Sequence, residues 1–189
     1  MTQTVELIRK RASIRAFTDE ALTDGQIQTL IDCALAAPSG ANLQNWHFCV
    51  VKTKAVVEEI EKYLVDRIMA GDNEFVKKLI ASRNNRIFFN GAVVIFIATK
   101  NGESLVDAGI AAENIVLAAE SMGLGTCILG GCRDAFNLER GDYFKKLVGF
   151  PDGYEFAAAV TIGHPAISAT PHELQPDKVT IIIIRARPS

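Results

Sequence analysis

The chain has 189 residues, 49% of them apolar, a net charge of −2 and a positive mean hydropathy. That length and apolar content exclude a disordered chain and are enough for one compact unit with a substantial core, so residues 1–189 are expected to form a single domain. The near-neutral charge calls for neither nucleic acid nor an anionic membrane as a partner, and the longest apolar runs, AVVIFIA (92–98) and TIIII (180–184), are too short to span a bilayer. MTQTVELIRKR at the N-terminus lacks the apolar run of a signal peptide, and Cys33, Cys49, Cys127 and Cys132 form no C-x-x-C pair. A cytoplasmic protein with reduced thiols is therefore expected.

In chain order, TVELIRKRAS predicts a short helix with Val5 and Ile8 one turn apart. After the turn AFTDEAL, Thr23 or Asp24 can cap a second helix whose face carries Ile27, Leu30, Ile31 and Leu35, and Pro38 stops it. WHFCVVK predicts a strand, and KAVVEEIEKYLVDRIMAG a helix with Val57, Ile60, Leu64 and Ile68 on one stripe. NEFVKKLIASRNNRIFF continues helically. AVVIFIAT predicts a strand buried on both faces, and SLVDAGIAAENIVLAAESMG a helix whose small residues suit close packing. GLGTCILGG reads as a short strand between glycines, RDAFNLERGDYFKKLVG as a helix and YEFAAAVTIGHPA as another buried strand. DKVTIIIIRAR closes the chain as a strand, reached through the irregular SATPHELQP, which is long enough to carry it to a partner subunit. The order α, α, β, α, α, β, α, β, α, β, β predicts an α+β fold with a mixed, mainly antiparallel central sheet wrapped by helices.

Several chemistries fail on inspection. GLGTCI lacks the third glycine of a dinucleotide fingerprint, and GTCILGGC has Gly131 where a phosphate-binding loop needs lysine. His47, His164 and His172 stand apart, without metal-ligand spacing, and no G-x-S-x-G elbow is present. What remains is polar and glycine-rich spots at element ends. RKRASIR is either a phosphate cradle or a solvated helix face. Ser39, Asn42 and Gln44 are either ligand contacts or turn chemistry. Gly130 and Gly131 either present bare backbone to a ligand or mark a bulge.

These spots, in this order, resemble the nitroreductase-like FMN-dependent oxidoreductases. The R-x-S-x-R stretch is Arg11, Ser13 and Arg15, followed by Phe17. The P-S-x-x-N-x-Q-P-W loop is Pro38, Ser39, Asn42, Gln44 and Trp46, with Asn45 in the place of the second proline. The A-x-N-x-x-L-A-A-x-x-x-G-L-G run occupies residues 112–125 and leads into Gly130 and Gly131, and I-G-x-P is residues 162–165.

The resemblance implies a homodimer with an exchanged C-terminal segment and FMN at the subunit interface. NADH or NADPH would be the electron donor and a nitroaromatic, quinone or similar small molecule the acceptor, in a ping-pong cycle. By motif, Arg11, Ala12 and Ser13 would hold the phosphate and ribityl chain and Arg15 the pyrimidine edge. From the other subunit, Pro38, Ser39, Gly40 and Asn42, supported by Gln44, would line ribityl and ring. Ile128, Leu129, Gly130 and Gly131 would meet the ring, the Gly130 N–H facing N5, with Asn84 a further contact. His172 and Glu173 stand where relatives place two basic residues, so the phosphate would lean on Arg11, Arg15 and His172, or reach to Arg185 or Arg187. Gly130 stands where some relatives carry an acid. No protein nucleophile and no metal are expected, because the flavin carries the chemistry. Flavin sequestration and specialised flavin chemistry (dehalogenation, enone reduction, flavin fragmentation) are the alternatives, the latter depending on a lid at residues 66–90 that carries Lys77, Lys78, Arg83 and Arg86.

Overall fold

The structure, a computed structural model, describes residues 2–182. In chain order its elements are α1 (Gln3–Lys10), α2 (Asp24–Leu35), β1 (Trp46–Val51), α3 (Lys54–Ala70), α4 (Glu74–Ala81), β2 (Val93–Lys100), α5 (Leu105–Ser121), β3 (Gly125–Leu129), α6 (Arg133–Asn137), α7 (Gly141–Val148) and β4 (Tyr154–Gly163). The strands form one sheet in the order β1-β2-β4-β3, and all three pairings are antiparallel. The expected mixed character reduces to one isolated parallel bridge, Ser13 to Thr126.

The period-two alternation of β2 sorts the core into two faces. Val94, Phe96 and Ala98 point to a cluster that includes Ile60 and Leu64 of α3, Phe136 of α6 and Phe144 of α7. Val93, Ile95 and Ile97 point to Leu30 and Ala34 of α2 and to Ala112, Ile115 and Ala119 of α5. Helices cover both faces, which is why β2 reads as a continuous apolar run. On the first face Phe136 stacks on Phe156 at 5.0 Å and on Phe150 at 5.2 Å, and meets Phe96 edge-on at 5.4 Å. α2 starts as its sequence suggests: Thr23 accepts the Gln26 N–H at 3.2 Å, and the Gln26 side chain accepts the Thr23 N–H at 2.8 Å.

Residues 11–18 form an extended segment along the sheet end. The Ile14 N–H donates to the Thr126 carbonyl at 2.8 Å, the Thr18 N–H to His164 at 2.9 Å, and the Ala166 N–H to Ala16 at 3.0 Å. Gly125 and Gly163 permit this approach. A Cβ at Gly125 would lie 2.9 Å from the Ile14 side chain, and one at Gly163 would lie 2.9 Å from the Phe17 ring.

Three expectations change. Leu35 is 51% exposed, because α2 buries the Leu30 and Ala34 edge instead. The helix after α3 ends at Ala81, and Asn84 and Asn85 turn the chain at φ of 52° and 56°, a region asparagine tolerates. RDAFNLERGDYFKKLVG divides into α6 and α7. Leu138 is extended between them, the Gly141 N–H donates to the Leu138 carbonyl at 2.7 Å, and a Cβ at Gly141 would sit 2.3 Å from the Phe136 carbonyl oxygen. After β4 the described chain contains an isolated bridge from Pro165 to Phe17 and the short turn Pro176–Lys178, and residues 179–182 join no ladder of this chain. The remainder of the expected closing strand, with Arg185 and Arg187, lies outside the described residues.

Candidate active site

Alternation along residues 11–15 decides which side chains reach a ligand. Ala12 and Ile14 are buried, which leaves Arg11, Ser13 and Arg15 on the other side of the segment, and the buried Phe17 ends the alternation. Arg11 lies beside α5, its Nε 3.8 Å from a carboxylate oxygen of Glu113.

A cleft of about 290 Å³ opens at the end of β3. Residues 127–131 line it, α4 contributes Val76, Leu79 and Ile80, and Arg15 and Arg83 add charge. Ile128 is 42% exposed, and a Cβ at Gly130 or Gly131 would meet no atom within 4 Å. The floor therefore offers an apolar side chain beside open backbone. An adjoining cleft of about 420 Å³ shares Arg15, Arg83 and Phe89 and adds Asn84 and Arg86. Neither lining contains a carboxylate. Cys127 lies between Ser13, Arg15 and Arg83, and burial pushes its thiol up even though these three neighbours act the other way. Its sulfur is accordingly a neutral thiol rather than a nucleophile near neutral pH.

The loop that carries Asn84 is held from below. The buried Glu61 of α3 accepts the N–H groups of Ile87 at 2.6 Å and Phe88 at 2.9 Å, and its other oxygen takes Arg86 Nη1 at 2.8 Å. The Thr161 hydroxyl donates to the Phe88 carbonyl at 2.8 Å. Glu61 was not among the expected site residues. Its signal was present, since it adjoins Ile60 and precedes Leu64 by three, which places an acid on the inward face of α3.

Residues 38–44 lie elsewhere in the chain, at the start of α5. Ser39 Oγ accepts the Gln44 N–H at 3.0 Å, the Gly40 N–H donates to the Asp107 carboxylate at 3.3 Å, and Gln44 Nε2 donates to Asn42 Oδ1 at 2.9 Å. Ala37 and Trp46, packed with Ala111, anchor the two ends of the loop. Neither this loop nor the exposed His172 lines either cleft. One chain thus brings together Arg15, Ile128, Leu129, Gly130 and Gly131, places Asn84 next door and Ser13 beside Cys127, and keeps Pro38, Ser39, Gly40, Asn42, Gln44 and His172 apart. Among the described residues no group of three His, Cys, Asp or Glu could hold a metal, and no helix is long and apolar enough to cross a membrane.

The fold is an antiparallel sheet with helices on both faces, and its β3 cleft combines bare backbone with cations. The profile of the Nitroreductase family matches residues 8–164, and the chain belongs to that family. A crystal structure of a nitroreductase with bound FMN from Desulfitobacterium hafniense superposes with a TM-score of 0.91 at 32% identity, over 97% of this chain and 100% of that one. An FMN-dependent nitroreductase from Clostridium difficile superposes with a TM-score of 0.76 at 28% identity, over 98% and 99%. An FMN reductase (NADPH) of Bacillus subtilis is 31% identical over 184 residues, which cover 88% of this chain and 67% of that protein.

Proposed function

We propose that this protein passes electrons from a reduced nicotinamide to a small oxidised acceptor through FMN held in the β3 cleft. It is an FMN-dependent NAD(P)H oxidoreductase of the nitroreductase type. The observation that carries the reading is the cleft itself: open backbone at Gly130 and Gly131, the half-exposed Ile128, and Arg15 in a lining with no carboxylate. Such a surface fits a planar, electron-accepting ring that gains negative charge on reduction.

When bound, FMN supplies hydride acceptance and electron delivery. The chain supplies orientation and charge. Arg11 and Ser13 hold phosphate and ribityl oxygens. Arg15, always protonated, stands at the pyrimidine edge and favours the reduced ring. The Gly130 backbone meets the ring without placing a reactive side chain beside it. Ala12 and Ile14 fix the segment from behind, and Asn84 approaches from the loop pinned by Glu61.

The site is completed by a second copy, which contributes Pro38, Ser39, Gly40, Asn42 and Gln44. Two features support this. The α1 helix has no buried residue, leaving Val5 and Ile8 41% and 50% exposed, and Val106 on α5 is 76% exposed. Val179, Ile181 and Ile182 are 67%, 81% and 78% exposed. Apolar surface of this extent is that of an interface. The whole chain works as one FMN-binding domain, since both core clusters lie against one sheet. We place it in the cytoplasm, where its free thiols stay reduced and nicotinamides are supplied.

Purified protein should be yellow, release FMN on denaturation and bleach with NADH or NADPH in the absence of oxygen, then recover its colour with a nitroaromatic or quinone. A colourless protein that ignores added FMN overturns this reading, and flavin that binds but never bleaches points instead to sequestration. Arg11→Ala should weaken FMN binding about 10- to 100-fold, as for a charged hydrogen-bond donor. Its 3.8 Å pairing with the half-exposed Glu113 contributes little to stability, so urea unfolding should barely change while flavin fluorescence titration reports the loss.

A further inference from the structure

The cations around the two clefts sort by partner. Arg86 pairs with Glu61 at 2.8 Å, Arg67 with Glu139 at 3.2 Å and Lys77 with Glu74 at 2.8 Å. Arg15 and Arg83 have no carboxylate within 4.0 Å among the described residues. Both line the same apolar-walled cleft as Cys127, so two like charges face one space. Like charges so placed repel unless anions come between them.

On the FMN reading Arg15 would face the flavin ring, which leaves Arg83, in the same lining, to a second ligand. Arg83 is also no loose surface arm. Its N–H closes the last turn of α4 on the Ile80 carbonyl at 3.0 Å, and its guanidinium lies 5.8 Å from the centre of the Phe89 ring. Beside it Val76, Leu79 and Ile80 of α4 offer an apolar wall. The space thus pairs a surface for an aromatic body with one fixed positive charge at its edge.

Resting on the FMN reading above, we infer that the acceptor is an anionic aromatic, a nitro or quinone compound bearing a carboxylate, and that Arg83 holds that carboxylate. Arg83 is a specificity residue: it binds the acceptor and takes no part in electron transfer.

The test uses FMN-loaded protein, with para-nitrobenzoate and para-nitrobenzamide as acceptors and benzoate and benzamide as unreactive ligands followed by calorimetry. In the wild type, kcat/KM should favour the nitrobenzoate about tenfold or more, chiefly through KM, and Kd should favour benzoate by a similar factor. R83Q should bring both ratios to about one, and R83K should retain part of each. A purely structural role at the end of α4 would lower both acceptors together. No preference in a wild type that reduces the nitrobenzamide overturns the proposal, as does a preference that survives R83Q. A loss confined to NADPH relative to NADH in R83Q also overturns it, by giving Arg83 to the donor phosphate. A protein that binds no FMN fails the functional reading instead, and its colour shows this before any acceptor is added.

Discussion

Glu61→Ala is expected to destabilise the protein by about 3–5 kcal/mol, as much as truncating a fully buried aliphatic side chain. One carboxylate oxygen accepts both the Ile87 and the Phe88 N–H, at 2.6 Å and 2.9 Å, and the other takes Arg86 at 2.8 Å. Truncation leaves two buried N–H groups without an acceptor, at about 1–3 kcal/mol each. Arg86, 43% exposed, can turn towards water, so the ion pair adds less. Glu61→Gln separates the two contributions. Its carbonyl oxygen can occupy the place that accepts both N–H groups, leaving only the contact with Arg86 impaired, and the expected cost is about 1–2 kcal/mol. Urea unfolding of the two variants checks the order, and hydrogen exchange at residues 87 and 88 checks the place. Equal losses in both variants would mean that the ion pair, not the N–H bonds, does the holding. The loop carries Arg83 and Asn84 towards the clefts, so FMN affinity should fall with the alanine variant and largely survive in the glutamine one.

Glu61 also shows where reading the sequence stops. The stripe Ile60 and Leu64 was visible because each apolar residue reports its own burial by period alone. An acid on the same stripe needs an acceptor's partners, and these are backbone groups 26 and 27 residues away. The same limit explains RASIR. Its alternation of buried Ala12 and Ile14 with Ser13 and Arg15 is a strand's period. It is too short to signal a strand, and it has meaning only against β3, more than a hundred residues later. β2 and α5 were legible because length and apolar density are local properties. The break between α6 and α7 was not, because it depends on Gly141 lying against the Phe136 carbonyl. The candidate site was reached only through the order of its motifs, since its two sets of residues lie apart within one chain. Gln44 and Asn42, which bond to each other, read on their own as turn chemistry before they read as ligand contacts.

Gly125→Val and Gly163→Val should each cost about 1–3 kcal/mol of stability and at least tenfold in FMN affinity, the two losses having one cause. A Cβ at Gly125 falls 2.9 Å from the Ile14 Cβ and Cγ1, and one at Gly163 falls 2.9 Å from Phe17 Cδ1 and 3.1 Å from its Cβ. The contacted atoms include Cβ positions, which cannot swing away, so the backbone of residues 12–17 must retreat. That strains the Ile14 bond to Thr126 and the Thr18 bond to His164. Arg11, Ser13 and Arg15 ride on the same backbone and move with it. Gly25 is the control, since a Cβ there meets nothing within 4 Å and the residue lies in the first turn of α2. Gly25→Ala should therefore stabilise the protein by about 0.4–1 kcal/mol and leave flavin binding alone. Urea midpoints and flavin titrations on the three variants decide the matter. If the Gly125 variant lost stability but kept its full affinity for FMN, residues 11–15 would be scaffold only, and the cofactor would have to be held by other parts of the β3 cleft.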